Sequence, residues 1–284
     1  RIRNGEAVRI CALGHYIPCY IKYAAEYGFD CVWLDLEHRA MDDREVQALM
    51  AFFHKYDIDC MLRPSTLEKS KLYRYLEDGA SGFLVPHVST PEKGQAMVDA
   101  CKFPPIGDRG LDGAGMDNDY MLFDDDYPAR TNAETFLVVQ IETPEAVDNV
   151  DAIASIEGVD GLFVGSGDLG FRLKQSPDYP DLETCIEKVA AAAKKHGKAW
   201  GLPVGSPEAV QQRKDQGAQL MPRGGEVTAL IRTLAAWQEE MIRPSTKCSE
   251  KEKDHLGITL PYAYKRKSQE HNLGDALCAG MRQV

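Results

Sequence analysis

Short apolar, β-branched runs alternate along this chain with longer amphipathic stretches, eight of each, and this repeat constrains the fold more than any single motif does. The runs at 8–13, 31–35, 59–63, 82–86, 135–141, 161–164, 199–203 and 219–222 have the length and residue types of strands. Segments at about 18–27, 42–55, 67–78, 91–102, 144–155, 181–196, 206–216 and 225–241 have helical periodicity. Thr90-Pro91, Thr143-Pro144 and Ser206-Pro207 each set a capping hydroxyl before a proline at the first helical position. Gly28, Gly79, Gly197 and Gly217 stand where a left-handed residue would close a helix. Strands that alternate with helices require a parallel sheet, and eight repeats favour closure into a (β/α)₈ TIM barrel. The competing open, doubly wound sheet would place G-x-G-x-x-G after its first strand, and that motif is missing there.

Two segments depart from the repeat. Residues 104–134, rich in glycine and carrying the acidic run Asp124-Asp125-Asp126, form a long loop before the fifth strand. A loop of this length is expected to be a lid on the strand C-terminal side or a partner contact. The barrel domain is expected over 1–241, followed by an extension over 242–284 with too little apolar content to fold alone, packing on the barrel or on a neighbouring subunit.

Composition narrows the function classes. With 284 residues, 44% hydrophobic and 27% charged, one large domain with a full core is expected. Asp and Glu outnumber Lys and Arg by 44 to 33, a net charge of −11, which argues against nucleic acid or an anionic membrane as partner. An anionic ligand must then be met by local cations. The eight cysteines, with no C-x-x-C pair, read as reduced core thiols. No apolar run approaches the roughly 20 residues of a bilayer span, so a cytoplasmic enzyme is the expectation.

In such a barrel the chemistry lies at the C-terminal ends of the strands. There the second strand ends in Asp35-Leu36-Glu37-His38, the third in Arg63, the fourth in His87, the fifth in Gln140-Ile141-Glu142 and the sixth in Gly165-Ser166-Gly167-Asp168. Glu142 and Asp168, on successive strands, are candidate ligands of one divalent cation. Oxygen donors without nearby cysteine point to Mg²⁺, with Mn²⁺ or Co²⁺ as alternatives. Two carboxylates leave positions open for water and a bidentate 2-oxo acid. Arg63 offers a planar cation for the oxyanion of an enolate. Backbone N–H groups of Gly167 and Asp168 form a nest for the substrate carboxylate. Asp35, three residues before His38, is expected to orient that imidazole for proton transfer. His87 either faces the substrate or packs beneath the lid; His15 is a lesser candidate.

At these residues the chain resembles the HpcH/HpaI aldolase family, the class II pyruvate aldolases, and within it most of all the macrophomate synthase branch. The resemblance covers about residues 5–241 and is carried by Trp33-Leu34-Asp35-Leu36-Glu37-His38, Leu62-Arg63-Pro64, the run 79–88, the run 103–110, Val139-Gln140-Ile141-Glu142-Thr143 and the run 158–165. It implies a metal held by Glu142 and Asp168, enolate stabilisation by Arg63, proton transfer by His38 with Asp35, and a substrate contact from Gln140. The histidine at 87 is like that of the macrophomate synthase branch. The resemblance also implies a homo-oligomer, a hexamer built as a trimer of helix-swapped dimers.

The leading expectation is a metal-dependent lyase that cleaves a 4-hydroxy-2-oxo acid to an aldehyde and a metal-bound pyruvate enolate. A second is decarboxylation of oxaloacetate to the same enolate, followed by protonation or carbon–carbon bond formation; His87 and a lid would favour it. A third, from another class, is a 2-oxo acid sensor without turnover.

Overall fold

The structure, a computed structural model, describes residues 1–122 and 124–242. Eight parallel strands close into a barrel in sequence order: β1 (Val8–Leu13), β2 (Cys31–Asp35), β3 (Asp59–Arg63), β4 (Gly82–Val85), β5 (Phe136–Ile141), β6 (Gly161–Val164), β7 (Ala199–Gly201) and β8 (Leu220–Gly225). The helices are α1 (Pro18–Glu26), α2 (Asp43–Tyr56), α3 (Lys69–Glu77), α4 (Pro91–Cys101), α5 (Tyr127–Glu134), α6 (Pro144–Asp148), α7 (Val150–Ala154), α8 (Ser166–Leu173), α9 (Leu182–His196), α10 (Pro207–Asp215) and α11 (Glu226–Ile242). Two compact units are distinguished, Arg1–Leu234 and Ala235–Val284; of the second, the described part is the end of α11. The expected extension over 242–284 lies outside the described residues except for Ile242.

The expected punctuation forms as written. Thr90, Thr143 and Ser206 each accept a hydrogen bond from the backbone N–H three residues on, ahead of a proline. Gly28, Gly79, Gly197 and Gly217 all have positive φ, from 65° to 107°, a region where any Cβ is strained. The helix expected over 144–155 is two short ones, with Asn149 at the joint donating its side-chain N–H to Ser89 O at 2.9 Å.

Strand periodicity then decides which side chains reach the barrel axis. Ile10, Cys31, Met61, Leu84, Val138, Phe163, Ala199 and Leu220, one from each strand, form a single buried cluster inside the barrel. Their strand neighbours Cys11, Val32, Cys60, Leu62, Phe83, Val139 and Leu162 belong instead to the cluster under the helices. Burial of each large apolar side chain contributes about 1.5–3 kcal/mol. Counting by twos from the inner cluster toward the strand C-termini gives Trp33 and Asp35 on β2, Arg63 on β3, Gln140 on β5 and Glu142 just after it, and Gly165 after β6. The apolar plug of the barrel thus sets which polar residues line its upper mouth.

The segment 104–134 is not a lid. It contains a 3₁₀ turn (Met116–Asn118) and α5, and it packs at the opposite end of the barrel. A Cβ on Gly115 would lie 2.9 Å from Glu77 O, at the C-terminal end of α3, and one on Gly79 would lie 3.0 Å from Met116 Sδ. Arg109, 4% exposed, pairs with Asp117 at 2.5 Å, and Phe103 meets Tyr127 edge to face. Topology supplies the reason: a connection from a helix to the next strand runs to that strand's N-terminal end, away from the chemistry.

Six cysteines fall within the described residues, all unpaired with one another; five are buried and Cys19 is exposed. Among the described residues no helix is long and apolar enough to cross a membrane.

Candidate active site

Arg63 is the centre of the upper mouth. Its side chain is 9% exposed, and its guanidinium donates through Nε and Nη2 to the two oxygens of Asp35, at 2.9 and 2.8 Å. The two residues are register partners on adjacent strands, which is why this bidentate pair forms. Nη1 lies 2.9 Å from Glu37 Oε2, and the guanidinium carbon lies 4.7 Å from the centre of the Trp33 ring. A guanidinium has five N–H bonds, so three named contacts leave two for a ligand.

The structure corrects the expected pairing of Asp35 with His38. The Asp35 carboxylate is occupied by Arg63 and by the backbone N–H groups of Glu37 and His38, at 3.1 and 3.4 Å. The His38 ring is half-exposed and approaches Glu37 instead, with Nε2 3.6 Å from Oε2. Burial pushes the Asp35 carboxyl up, yet the bonds from Arg63 and from the two N–H groups outweigh it and hold the group below the usual range. Glu37 moves the other way: burial raises its pKa, aided by the nearby Glu142, against the pull of Arg63, His38 and His87.

Glu37 is the residue that sequence reasoning missed, although it lies within the recognised motif. Its Oε1 is 3.0 Å from His87 Nε2, and His87 Nδ1 is 3.1 Å from Glu142 Oε1. His87 therefore bridges two acids, with a half-exposed ring that no lid covers among the described residues. Its backbone N–H also donates to Glu142 Oε1, at 2.7 Å. His87 makes this double contact from a left-handed backbone, φ 61°, a conformation that costs a non-glycine residue about 1–3 kcal/mol.

Glu142 is 2% exposed. Its second oxygen accepts from Gln140 Nε2, while Gln140 Oε1 is buried without a hydrogen-bond partner. The close-approach glycine here is Gly165: a Cβ there would lie 2.7 Å from Glu142 Cβ and 3.0 Å from its Oε2. At Gly167 a Cβ would meet nothing within 4 Å. Gly167 and Asp168 lie in the first turn of α8, an element not foreseen in the sequence. Gly165 caps this helix without a side chain, which leaves its first N–H groups for a ligand. Asp168 is exposed and Glu142 buried, at the ends of adjacent strands.

Among the described residues no three His, Cys, Asp or Glu side chains gather to hold a metal ion. The buried Glu142 carboxylate and the orphaned Gln140 amide oxygen beside it are both oxygen donors, of the kind a hard cation takes.

A second carboxylate escaped the sequence reading. Glu226, the first residue of α11 and 7% exposed, accepts the Gly14 N–H at 2.8 Å and lies 2.7 Å from His15 Nδ1. It ties the end of β1 to the end of β8, where the barrel closes. A buried acid directly after the eighth strand was the available signal.

Residues 15–233 match the HpcH/HpaI aldolase/citrate lyase family. The chain is 32% identical over 213 residues to the hydroxypyruvate/pyruvate aldolase of Sagittula stellata, covering 74% of this chain and 83% of that protein. It is 37% identical over 195 residues to the 5-keto-4-deoxy-D-glucarate aldolase of Klebsiella pneumoniae, covering 68% and 75%. Among solved structures it superposes on macrophomate synthase with a TM-score of 0.70 and 25% identity, over 83% of this chain and 84% of that one.

Proposed function

The chain belongs to the HpcH/HpaI aldolase/citrate lyase family, and on that premise we propose that it is a divalent-metal-dependent lyase cleaving a 4-hydroxy-2-oxo acid to pyruvate and an aldehyde. The observation that carries this reading is the guanidinium of Arg63, fixed by Asp35 and Glu37, at the same mouth as the buried carboxylate of Glu142.

In cleavage the C4 hydroxyl loses its proton, the C3–C4 bond breaks, and its electron pair moves through C3 to the C2 oxygen, giving the enolate of pyruvate. Protonation at C3 completes the reaction. Arg63 uses its two remaining N–H bonds on the developing oxyanion, and Asp35 acts as a positioning residue that holds the fork in place. His38, half-exposed and near Glu37, carries the proton between the hydroxyl and water. The first N–H groups of α8, at Gly167 and Asp168, receive the substrate carboxylate, and Gln140 contacts the oxo acid. His87 is a positioning residue for Glu142. Glu142 and Asp168 would hold the ion, Mg²⁺ by its oxygen donors, with Mn²⁺ or Co²⁺ as substitutes; when bound, it polarises the 2-oxo group and offsets negative charge.

Decarboxylation of oxaloacetate to the same enolate is the second reading, favoured by His87 and the likeness to macrophomate synthase. It no longer has a lid in its support. A homo-oligomer assembled through the last helix is supported by the exposed Val227, Leu230, Ile231 and Leu234 of α11. Assay of pyruvate release from 4-hydroxy-2-oxo acids and oxaloacetate, with Mg²⁺ and after chelation, tests the proposal. Metal-dependent release supports it; tight oxo-acid binding with no release from any substrate would leave the sensor reading instead.

A further inference from the structure

The upper mouth continues past Arg63 into a cavity of about 260 Å³ between the ends of β1, β2, β7 and β8. Trp33 and Asp35 belong both to its wall and to the setting of Arg63, so the cavity adjoins the place where the enolate would form. Gly14, Arg39, Pro203 and Glu226 complete the part of the wall that matters here.

The charges in this wall are unequally matched. Asp35 is neutralised bidentately by Arg63, and Glu226 is satisfied by the Gly14 N–H and by His15. Among the described residues Arg39 is the one lysine or arginine lining the cavity. Its Nη1 donates to His38 O at 2.7 Å, which fixes the head without neutralising it, and among the described residues it makes no ion pair. A second observation shows that this placement is built in. A Cβ on Gly14 would lie 2.6 Å from Arg39 Cγ and 3.1 Å from its Cδ and Nε, so the arginine stem lies across a glycine that leaves room for it. The same glycine is held from behind by Glu226. In a chain of net charge −11, a fixed and unpaired guanidinium on a ligand cavity has a specific consequence: it selects for negative charge.

We propose that Arg39, lying across Gly14, forms the acceptor subsite of this enzyme and selects aldehydes that carry an anionic group at the end remote from the carbonyl. The inference rests on the lyase reading above. In the condensation direction C3 of the enolate attacks the aldehyde carbon, the carbonyl oxygen takes a proton, and the remote carboxylate or phosphate lies on the Arg39 fork.

The test is kcat/KM for condensation of pyruvate with matched acceptors: succinic semialdehyde against its neutral amide, and glyceraldehyde phosphate against glyceraldehyde. The wild-type enzyme prefers the anionic member of at least one pair, and which pair distinguishes carboxylate from phosphate. Arg39→Gln lowers the anionic-to-neutral ratio roughly 10- to 100-fold, the worth of hydrogen bonds to a charged group. Gly14→Ala displaces the stem and moves the ratio the same way, whereas Arg39→Lys keeps part of the preference. A purely structural role would lower both acceptors alike. An unchanged ratio in Arg39→Gln and Gly14→Ala, or no anionic preference in the wild type, overturns the subsite. Exchange of pyruvate methyl protons with solvent deuterium is followed alongside. Exchange with an unchanged ratio refutes the subsite alone, and absence of both exchange and condensation refutes the lyase reading with it.

Discussion

The two ends of the barrel handle charge in opposite ways. At the lower end inward-lying charges meet their opposites: Asp30 with the exposed Arg9 at 2.7 Å, Asp160 with the exposed Arg3 at 2.9 Å, and Lys102, 2% exposed, with Asp160 and the carbonyls of Asn132 and Thr135. At the upper end Asp35, Glu37 and Glu142 converge on a single arginine and one histidine that bridges two of them. Size points the wrong way, because the lower cavity, about 350 Å³, is larger than the upper one of about 260 Å³. Balance is the better guide: a matched network stabilises, while an excess of one sign is held for something that binds.

This contrast can be broken from either end. The largest effect is expected for Glu142→Ala or Asp168→Ala, which remove the surplus carboxylates. Since a bound divalent ion contributes several kcal/mol to the transition state, turnover falls roughly 10³-fold and Mn²⁺ binding is lost in calorimetry. Wild-type turnover in either variant would mean that the surplus charge is incidental. Next, His38→Ala lowers aldol cleavage by about 10²-fold but decarboxylation of oxaloacetate much less, because only cleavage requires removal of a hydroxyl proton. Equal losses would make His38 a substrate-positioning group.

The lower end should show the reverse pattern. Lys102→Met removes the side-chain donor to the buried Asn132 carbonyl and leaves Thr135 O and Asp160 to Arg3 alone among side-chain cations, so the urea midpoint shifts by about 1–3 kcal/mol of stability while kcat stays nearly constant. A loss of kcat with unchanged stability would place function at the wrong mouth. The smallest effect is at Asp30, whose carboxyl is held below its usual range by the bonds from Arg9, only partly offset by burial. A depressed folded-state pKa gives stability that is complete above the unfolded value, about pH 4, and is lost as pH falls through the folded value. Asp30→Asn should flatten that acid-side decline without altering activity; an unchanged decline would show that the pair contributes nothing.

Much of this was legible in the sequence because strand periodicity is legible. Once Met61 and Val138 are inside the barrel, Arg63, Gln140 and Glu142 follow by counting in twos. What lay off the strands was harder. Glu37 comes after β2 has ended, where alternation no longer predicts direction, and Glu226 acts through a contact 212 residues away, with Gly14. The Asp35–His38 pairing rests on spacing and on the resemblance, and it fails because register gives Asp35 a stronger partner on the next strand. The lid alternative for segment 104–134 rests on its length, and it fails on the direction in which a helix-to-strand connection must run; a partner contact is the other alternative.

The central claim, that the unbalanced upper mouth enolises a 2-oxo acid with a divalent ion, is tested most directly by deuterium exchange into the methyl group of pyruvate, followed by NMR. The account predicts exchange in the presence of Mg²⁺ or Mn²⁺, loss of exchange on chelation, and recovery when the ion is restored. Exchange that persists at full rate in the chelated protein, or none with any divalent ion, would contradict it.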